Sequence, residues 1–239
     1  HRHFGVGADG LMVLKSSDEV DFVMDYYNSD GRLGSMCGNG GRCIVSFSKY
    51  LQIAEDEVTF DAADGLHKAI FRDNGEVSLQ MADVSGMEPL LDGFFLDTGS
   101  PHLVLWVEDL PKYLVYQKGS LFRNHPVFQP GGTNVNFVEV NQGIVSVRTF
   151  ERGVEQETLA CGTGVTAVAL AMAFKEQKLG LGQTIIQALG GQLKVEYRQT
   201  NPGIFEEIWL TGPAQFVFKG TISTEVPNDY QAYKKRVND

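Results

Sequence analysis

Two cysteines occupy matching places in the sequence and could exchange protons with a substrate. Cys37 begins the segment Cys-Gly-Asn-Gly, and Cys161 begins the segment Cys-Gly-Thr-Gly. Each segment leads into an apolar stretch with helical spacing, so each cysteine is predicted to lie at the start of a helix. There the unpaired N–H groups and the positive end of the helix dipole lower the pKa of a thiol from about 8.5 toward neutrality. The neighbouring glycines leave those N–H groups open to an anion such as a carboxylate.

Two such helix starts facing one cleft would suit the inversion of a stereocentre. A base must take the α-proton from one face of the carbon while an acid supplies a proton to the other face, and one thiol cannot reach both. Without a pyridoxal group, the carbanion must be stabilised in a dry site by donors aimed at the carboxylate. We therefore expect Cys37 and Cys161 to act as a pair on opposite faces of one carbon.

An internal repeat supports this pairing. Residues 24–31 followed by 36–40 are similar to residues 147–153 followed by 160–164, and each set reads as a strand, a polar turn and Cys-Gly-x-Gly. Hairpin glycines at positions 65 and 191 recur at nearly the same spacing as the cysteines. The repeat predicts two halves of similar construction with a cleft between them.

Short strands and two helices must position these residues. Helices are predicted over 40–51 and 162–178, and the second is apolar on nearly every face, which is typical of a buried helix. Strands are predicted over 11–14, 22–27, 58–61, 68–71, 76–81, 103–107, 136–140, 144–150, 192–197 and 207–211.

Composition and charge exclude several classes of protein. With 239 residues, of which 43% are hydrophobic and 21% charged, the chain is typical of a globular protein with a core of its own. The formal net charge of −10 argues against nucleic acid and anionic membranes as partners. Three widely spaced cysteines, no signal-like segment and no apolar run long enough to cross a bilayer favour the cytoplasm.

Other motifs in the sequence do not predict a cofactor or a metal. Residues 5–10 match G-x-G-x-x-G, but they precede a strand instead of opening a helix, so a dinucleotide site is not expected. Cys37 and Cys43 are too far apart for a zinc knuckle, and no histidine pair has ligand spacing. Cys43 is instead expected to be a buried structural residue. The polar tail over 221–239 is expected to be solvated.

Six motifs, in this order along the chain, closely resemble the diaminopimelate epimerase family. They are Tyr27-Asn-Ser-Asp-Gly31, Met36-Cys-Gly-Asn-Gly-Gly-Arg-Cys43, Gly99-Ser-Pro-His102, Thr133-Asn-Val-Asn-Phe137, Phe150-Glu-Arg-Gly153 and Ala160-Cys-Gly-Thr-Gly164. The resemblance extends from Gly5 to about Ala214. It implies a pyridoxal-independent isomerase that interconverts LL- and meso-diaminopimelate in the synthesis of lysine and peptidoglycan precursors.

The resemblance also implies a fold and a division into domains. The expected fold class is α+β, with two pseudo-two-fold related α/β domains, each a mostly antiparallel curled sheet or barrel around a central helix. The first domain is expected to comprise residues 1–82 together with 213–239, and the second residues 83–212. The active site is expected to lie between them.

Roles for individual residues follow from the same resemblance. Cys37 and Cys161 correspond to the acid/base pair, and in the LL-to-meso direction we assign Cys161 as proton acceptor and Cys37 as donor. His102 and Glu151 correspond to an auxiliary catalytic pair that binds the α-ammonium or tunes the thiols. The positions that match substrate-binding residues are Asn28, Gly38, Asn39, Ser100, Asn134, Glu151, Arg152, Gly162 and Thr163. The fork of Arg152 suits the distal carboxylate. No metal and no cofactor are implied.

Three features depart from the pattern of the family. Ser100 stands where many members have asparagine, and Gly10 follows Asp9 where members commonly have glutamine. The family also has a first hairpin with Gly-Asn-Asp-Phe, which has no counterpart in this sequence. We therefore expect the sequence to be part of a longer chain, and little activity without that segment.

Several alternatives stay open at the level of sequence. The nearest is another pyridoxal-independent racemase or epimerase acting on histidine, proline or hydroxyproline, although Asn39 stands where the proline group usually has histidine. The others are a protein of the same fold without thiol chemistry, and a thiol redox or metal-binding protein. The expected partner is a small molecule, diaminopimelate, and a homodimer stays open.

Overall fold

The computed structural model describes residues 6–34 and 37–222 of the protein. Its helices are α1 (Gly38–Tyr50), α2 (Val115–Arg123) and α3 (Gly162–Lys175). Its strands are β1 (Gly10–Lys15), β2 (Phe22–Asn28), β3 (Leu33–Gly34), β4 (Glu57–Ala62), β5 (Gly65–Phe71), β6 (Val77–Gln80), β7 (Val84–Ser85), β8 (Glu88–Leu90), β9 (Gly93–Asp97), β10 (Pro101–Trp106), β11 (Asn134–Asn141), β12 (Ile144–Glu151), β13 (Gln156–Thr158), β14 (Gly180–Ala188), β15 (Gly191–Asn201) and β16 (Ile204–Gly212). Short 3₁₀ turns cover Leu110–Lys112 and Pro126–Phe128.

The strands of the described residues form one continuous hydrogen-bonded sheet. Its order is β1-β2-β4-β5-β6-β16-β15-β14-β12-β11-β10-β9-β8, while β3 pairs with β2, β7 with β16 and β13 with β12. Most neighbours are antiparallel, and the parallel pairs are β2 with β4, β10 with β11 and β12 with β14. A mostly antiparallel sheet with few helices is an α+β arrangement, as the sequence predicted.

The internal repeat of the sequence is also a repeat of topology. In the first half, β1 and β2 pair antiparallel, and the chain returns through α1 to β4, which lies parallel to β2. In the second half, β11 and β12 pair antiparallel, and the chain returns through α3 to β14, which lies parallel to β12. A parallel neighbour needs such a crossover, and in each half the crossover contains a helix that begins at the first glycine of the Cys-Gly-x-Gly segment.

Each crossover helix packs into a hydrophobic core of its own. Ile44 and Val45 of α1 lie among Phe22, Phe60 and other buried residues between positions 22 and 79. The core around α3 is built from residues between positions 84 and 210. The buried members of the two cores divide between positions 79 and 84, and Met81 packs against both cores. We propose that the domain boundary lies near residue 82. In the 213–222 segment, the exposed ring of Phe216 stacks on Tyr50 of α1 with centroids 5.0 Å apart.

The two helices bury different fractions of their surface. Helix α3 is buried along most of its length and contacts β9 to β12 and β14 to β16, as its apolar sequence predicted. Helix α1 buries only one face, which includes Ile44, Val45 and Ser48. Cys43 lies on the other face with Phe47 and Tyr50, at helical spacing, and all three are exposed. The expectation that Cys43 is buried is therefore wrong.

Helix α2 and strand β14 escaped prediction because glycines interrupt their patterns, and the short strands β3, β7, β8, β9 and β13 were not predicted either. Helix α2 contains Gly119, where a Cβ would lie 2.3 Å from the Cβ of Phe150, so only glycine lets the helix approach β12. Strand β14 begins with Gly180 and Gly182, and the ring of Tyr197 covers the second of these glycines. The strands and helices that were predicted are all confirmed, with ends shifted by a few residues. The predicted solvated tail lies outside the described residues from position 223 onward.

Candidate active site

The first turns of α1 and α3 contact each other. A Cβ at Gly38 would lie 3.3 Å from the Cα of Gly162, and a Cβ at Gly162 would lie 3.1 Å from the Cα of Gly38. The side chain of Leu210, in β16, packs against both glycines. Its Cδ2 would lie 2.9 Å from a Cβ added at Gly38 and 3.0 Å from one added at Gly162. The structure thus brings together the two helix starts that carry Cys37 and Cys161.

Cys37 is the N-cap residue of α1 and has extended backbone angles, φ −116° and ψ 154°. Its sulfur accepts a hydrogen bond from the backbone N–H of Gly40 at 3.2 Å. This bond satisfies one of the otherwise unpaired N–H groups of the helix start. The residue is exposed, so its thiol is open to a molecule that enters from solvent.

Cys161 is the N-cap residue of α3 and is buried, in contrast to Cys37. Its sulfur lies 3.4 Å from the hydroxyl oxygen of Thr163. Burial raises the pKa of Cys161 to about 12, and the nearby charge of Glu151 adds to the increase. The expected lowering of the pKa at a helix start is therefore wrong for Cys161. The cost of burying a thiolate exceeds the stabilisation that the first turn gives it.

His102 lies fully buried on β10, beside the start of α3. Its Nε2 is 3.0 Å from the hydroxyl oxygen of Ser100 and 3.0 Å from that of Thr163. Burial lowers the pKa of His102 to about 3, and the positive charge of Arg152 contributes. His102 is therefore neutral at physiological pH, which rules it out as a source of positive charge for the thiols.

Glu151 and Arg152 lie at the end of β12, where the repeat in the sequence placed them. Burial raises the pKa of the half-buried Glu151, and Asp9 raises it further. Arg152 forms no ion pair with a carboxylate among the described residues, and its Nη1 donates only to the carbonyl of Gly131, at 3.5 Å. A guanidinium in this state has donors left for a carboxylate from outside.

The side chain of Asn134 is engaged within the protein. Its Nδ2 donates to the hydroxyl of Ser100 at 3.2 Å and to the carbonyl of Pro101 at 3.0 Å. Its Oδ1 accepts from the backbone N–H of Arg152 at 2.8 Å. Asn134 therefore fixes two predicted substrate-binding residues, Ser100 and Arg152. Its own donors are already used.

The first half supplies two further predicted residues, Asn28 and Asn39. Asn28 is the exposed last residue of β2, and its Nδ2 donates to the carbonyl of Arg32 at 3.4 Å. Asn39 donates from Nδ2 to the carbonyl of Ala160 at 2.9 Å, across the junction between the two halves. A hydrogen bond thus links the residue after Gly38 to the residue before Cys161.

Sequence reasoning missed Arg42, which holds Asn39 in place. Arg42 is buried in α1, and its guanidinium donates to the carbonyl of Gly38 at 3.1 Å and to Oδ1 of Asn39 at 2.9 Å. The buried cation lies one turn of α1 beyond Gly38 and Asn39. Its position inside the Met36–Cys43 motif was the signal that could have identified it.

Sequence reasoning also missed Asn136, which contacts both the helix start and His102. Its Nδ2 lies 3.1 Å from Nδ1 of His102. A Cβ at Gly164 would lie 2.5 Å from its Oδ1, so the second glycine of Cys-Gly-Thr-Gly is what lets α3 approach Asn136. The available signal was the polar residue between Val135 and Phe137 in an otherwise apolar part of the strand. In the fold its amide is fully buried, and a buried amide needs hydrogen-bond partners.

The described residues support neither a metal site nor a membrane-spanning helix. Within residues 6–34 and 37–222, no group of three or more His, Cys, Asp or Glu side chains is arranged to hold a metal ion. None of the helices in these ranges is long and apolar enough to span a membrane.

Comparison with known proteins identifies the family. A family model for diaminopimelate epimerase matches residues 1–86 and 94–217. The chain is 46% identical over 222 residues to the diaminopimelate epimerase of Flavobacterium psychrophilum, covering 92% of this chain and 86% of that protein. It is 41% identical over 238 residues to the diaminopimelate epimerase of Aquifex aeolicus, covering 94% of this chain and 83% of that protein. The chain belongs to the diaminopimelate epimerase family.

Solved structures support the fold of this family member independently. A phenazine biosynthesis protein of the PhzF family from Bacillus anthracis has a TM-score of 0.69 at 14% identity, covering 87% of this chain and 82% of that one. A hydroxyproline epimerase from Agrobacterium vitis has a TM-score of 0.64 at 19% identity, covering 89% and 76%. At such identities the likeness concerns the fold alone. It confirms the expected α+β class of two curled-sheet domains.

Proposed function

We propose that this protein is a diaminopimelate epimerase that interconverts LL- and meso-diaminopimelate by proton transfer between two cysteines. The observation that carries the proposal is the meeting of two helix starts, each capped by a cysteine, in a chain of this family. The relatives at 46% and 41% identity bear the same name, which supports the substrate.

The proposed reaction moves two protons and no other group. One sulfur, as thiolate, takes the α-proton and becomes a thiol, while the opposing thiol gives its proton to the other face of the same carbon. The carbanion formed between these steps places negative charge on the α-carboxylate. The first-turn N–H groups of Gly38, Asn39, Gly162 and Thr163 would stabilise that charge, because first-turn N–H groups have no acceptor within their helix.

The order of the two cysteines follows the direction of reaction. For LL-to-meso conversion we assign Cys161 as acceptor and Cys37 as donor. Because burial holds Cys161 in its thiol form at neutral pH, Cys161 must lose its proton before it can act as a base. The positive α-ammonium of the substrate and the Thr163 hydroxyl would both favour the thiolate. Glu151 is suited to hold that ammonium at the same end of the cleft.

The distal half of the substrate needs a separate binding group. Diaminopimelate has a second amino-acid end, and Arg152 is the half-buried cation that has donors free for its carboxylate. Asn134 and Ser100 would act mainly by fixing Arg152 and His102, since their side chains already bond within the protein. Asn28 would approach the substrate from the first half.

We also propose that the protein works in the cytoplasm. Its three cysteines are free, and a mechanism that uses two of them as thiols requires a reducing compartment.

The experiment follows the α-proton of LL-diaminopimelate by NMR in D₂O, without added pyridoxal phosphate. The full-length wild-type protein is expected to exchange the α-proton for deuterium and to form the meso isomer. Cys37→Ser and Cys161→Ser are each expected to reduce epimerisation by at least about 10³-fold, because each removes one of the two proton carriers.

Cys43→Ser is the matched control, since Cys43 is an exposed thiol of α1 to which the proposed reaction gives no part. It is expected to retain the wild-type rate. If either cleft variant keeps that rate, the two-base proposal is rejected. If the wild type inverts proline or hydroxyproline instead of diaminopimelate, the proposed substrate is wrong.

A further inference from the structure

Four side chains form a hydrogen-bonded chain that ends at the sulfur of Cys161. Thr149 donates from its hydroxyl to Oδ1 of Asn136 at 2.9 Å. Nδ2 of Asn136 is 3.1 Å from Nδ1 of His102, and Nε2 of His102 is 3.0 Å from Oγ1 of Thr163. That oxygen lies 3.4 Å from the sulfur of Cys161. Asn136 and Thr149 are both buried, and neither was predicted as a site residue.

The orientation of the Asn136 amide is set by its other partners. Oδ1 accepts from Thr149, and Nδ2 donates to the backbone carbonyl of Leu103 at 3.1 Å. Turning the amide over would place Oδ1 against that carbonyl, where two acceptors would face each other. The second hydrogen of Nδ2 therefore points at Nδ1 of His102.

This orientation decides the tautomer of His102. Nδ1 accepts a hydrogen bond from Asn136, so it carries no proton, and the neutral ring must carry its proton on Nε2. Nε2–H then donates to Thr163, or to Ser100, whose hydroxyl lies 3.4 Å from that of Thr163. In the first arrangement the Thr163 oxygen accepts from His102, and in the second it accepts from the Ser100 hydroxyl. In both, the hydroxyl hydrogen of Thr163 is left for the sulfur of Cys161.

We propose that Asn136 is a positioning residue that fixes His102 in the Nε2–H form, so that the Thr163 hydroxyl donates to the Cys161 thiolate. The proposal rests on the proposed two-cysteine reaction and gives His102 a defined part in it. His102 acts neither as the base nor as the acid. It orients one hydroxyl, and that hydroxyl stabilises the thiolate by a charge-assisted hydrogen bond.

The first test is the tautomer itself, and it needs no substrate. Nitrogen-15 NMR of the wild-type protein at neutral pH is expected to show His102 with a proton on Nε2 and none on Nδ1. Asn136→Leu, which keeps a similar volume but removes the donor, is expected to give a population with the proton on Nδ1. If wild-type His102 carries a proton on Nδ1, the proposal is wrong, whatever the protein catalyses.

The second test is the pH dependence of α-proton exchange. The charged and titratable groups that face the cluster are Glu151 at the end of β12, Arg152 directly after it and Cys37 at the start of α1, and all three are unchanged in Asn136→Leu. The variant is expected to lose about 10²-fold in turnover and to need a higher pH for half-maximal rate, because its thiolate lacks a donor. A loss of turnover with an unshifted pH profile would mean a purely structural role and would overturn the proposal.

Two threonine variants distinguish the proposed role of the cluster from a general folding defect. Thr149→Val removes only the bond that orients the amide, and it is expected to shift the pH profile in the same direction with about a tenfold loss. Thr211→Val is the matched control, because Thr211 is also a buried strand threonine but bonds to Ser78, outside the cluster. It is expected to keep the wild-type profile. Equal shifts in the two variants would contradict the proposal. If the wild type exchanges no α-proton, the proposed function fails, and the tautomer measurement still decides the role of Asn136.

Discussion

Burial suppresses the charge of two central residues, His102 and Cys161. The pKa of His102 falls to about 3, from an ordinary value of 6.5. In the unfolded chain His102 would take up a proton as the pH falls through 6.5, whereas the folded protein resists protonation until about pH 3. The stability that this residue contributes is therefore complete above pH 6.5 and is lost as the pH falls toward 3.

His102→Gln is expected to remove this dependence. The free energy of unfolding of the wild type should fall by roughly 2 kcal/mol more than that of the variant between pH 7 and pH 5, from urea titrations at each pH. Comparison with the variant is needed because carboxylates begin to titrate over the same range. If the free energy of unfolding falls equally with pH in the two proteins, His102 is not held neutral by burial.

Sequence motifs predicted the positions of some residues of the candidate site but not the roles of others. The position of Cys37 and Cys161 at the starts of two contacting helices was predictable because the same four-residue pattern occurs twice. The role of Asn136 depends on the partners His102 and Leu103 of β10 and Thr149 of β12, which lie in two other strands of the sheet. The pKa of Cys161 was predicted with the wrong sign for a similar reason, because the helix start is local but the burial comes from the whole fold.

At the scale of elements, the critical contact is that between the first turns of α1 and α3. An added methyl group at Gly162 would lie 3.1 Å from the Cα of Gly38, and a backbone atom cannot move aside as a side chain can. Gly162→Ala should therefore push the helix starts apart while favouring the helix itself, since alanine is the better helix former. Turnover is expected to fall about 10²-fold through misplacement of the reacting groups.

The measurement pairs α-proton exchange with circular dichroism. Helix content should stay unchanged while turnover falls. Ser46→Ala is the control, because Ser46 lies in α1 away from its first turn and should retain full turnover. Full activity in Gly162→Ala would show that the closeness of the two helix starts is not required for the reaction.

The elements themselves were predictable where their patterns were regular. Helix α3 has an unbroken apolar sequence, and α1 follows a repeated motif, so both were predicted nearly to their ends. Helix α2 and strand β14 were missed because Gly119 and Gly182 are read as breaks in a pattern. In the fold, each glycine instead makes room for an aromatic ring from a neighbouring strand.

At the scale of the whole molecule, the sheet is continuous while the cores are separate. Strands β6 and β16 join the halves through four residue pairs, from Trp209 with Gln80 to Gly212 with Val77. At this joint the buried hydroxyls of Ser78 and Thr211 lie 2.6 Å apart. Contacts inside each core depend on different parts of the chain, so the two halves can differ in local stability.

Two large-to-small substitutions, one in each hydrophobic core, test the proposed domain boundary near residue 82. Phe60 is fully buried in the first core and stacks on Phe22 at 5.1 Å, while Leu170 is fully buried in the second. Phe60→Ala and Leu170→Ala should each cost about 2 to 5 kcal/mol by leaving a cavity. If the halves are separate units, hydrogen exchange should show Phe60→Ala weakening amide protection mainly in β4 and β5, and Leu170→Ala mainly in β14 and β15. Equal loss across both halves in both variants would mean that the β6–β16 joint couples the cores into one cooperative unit, and the boundary would then be wrong.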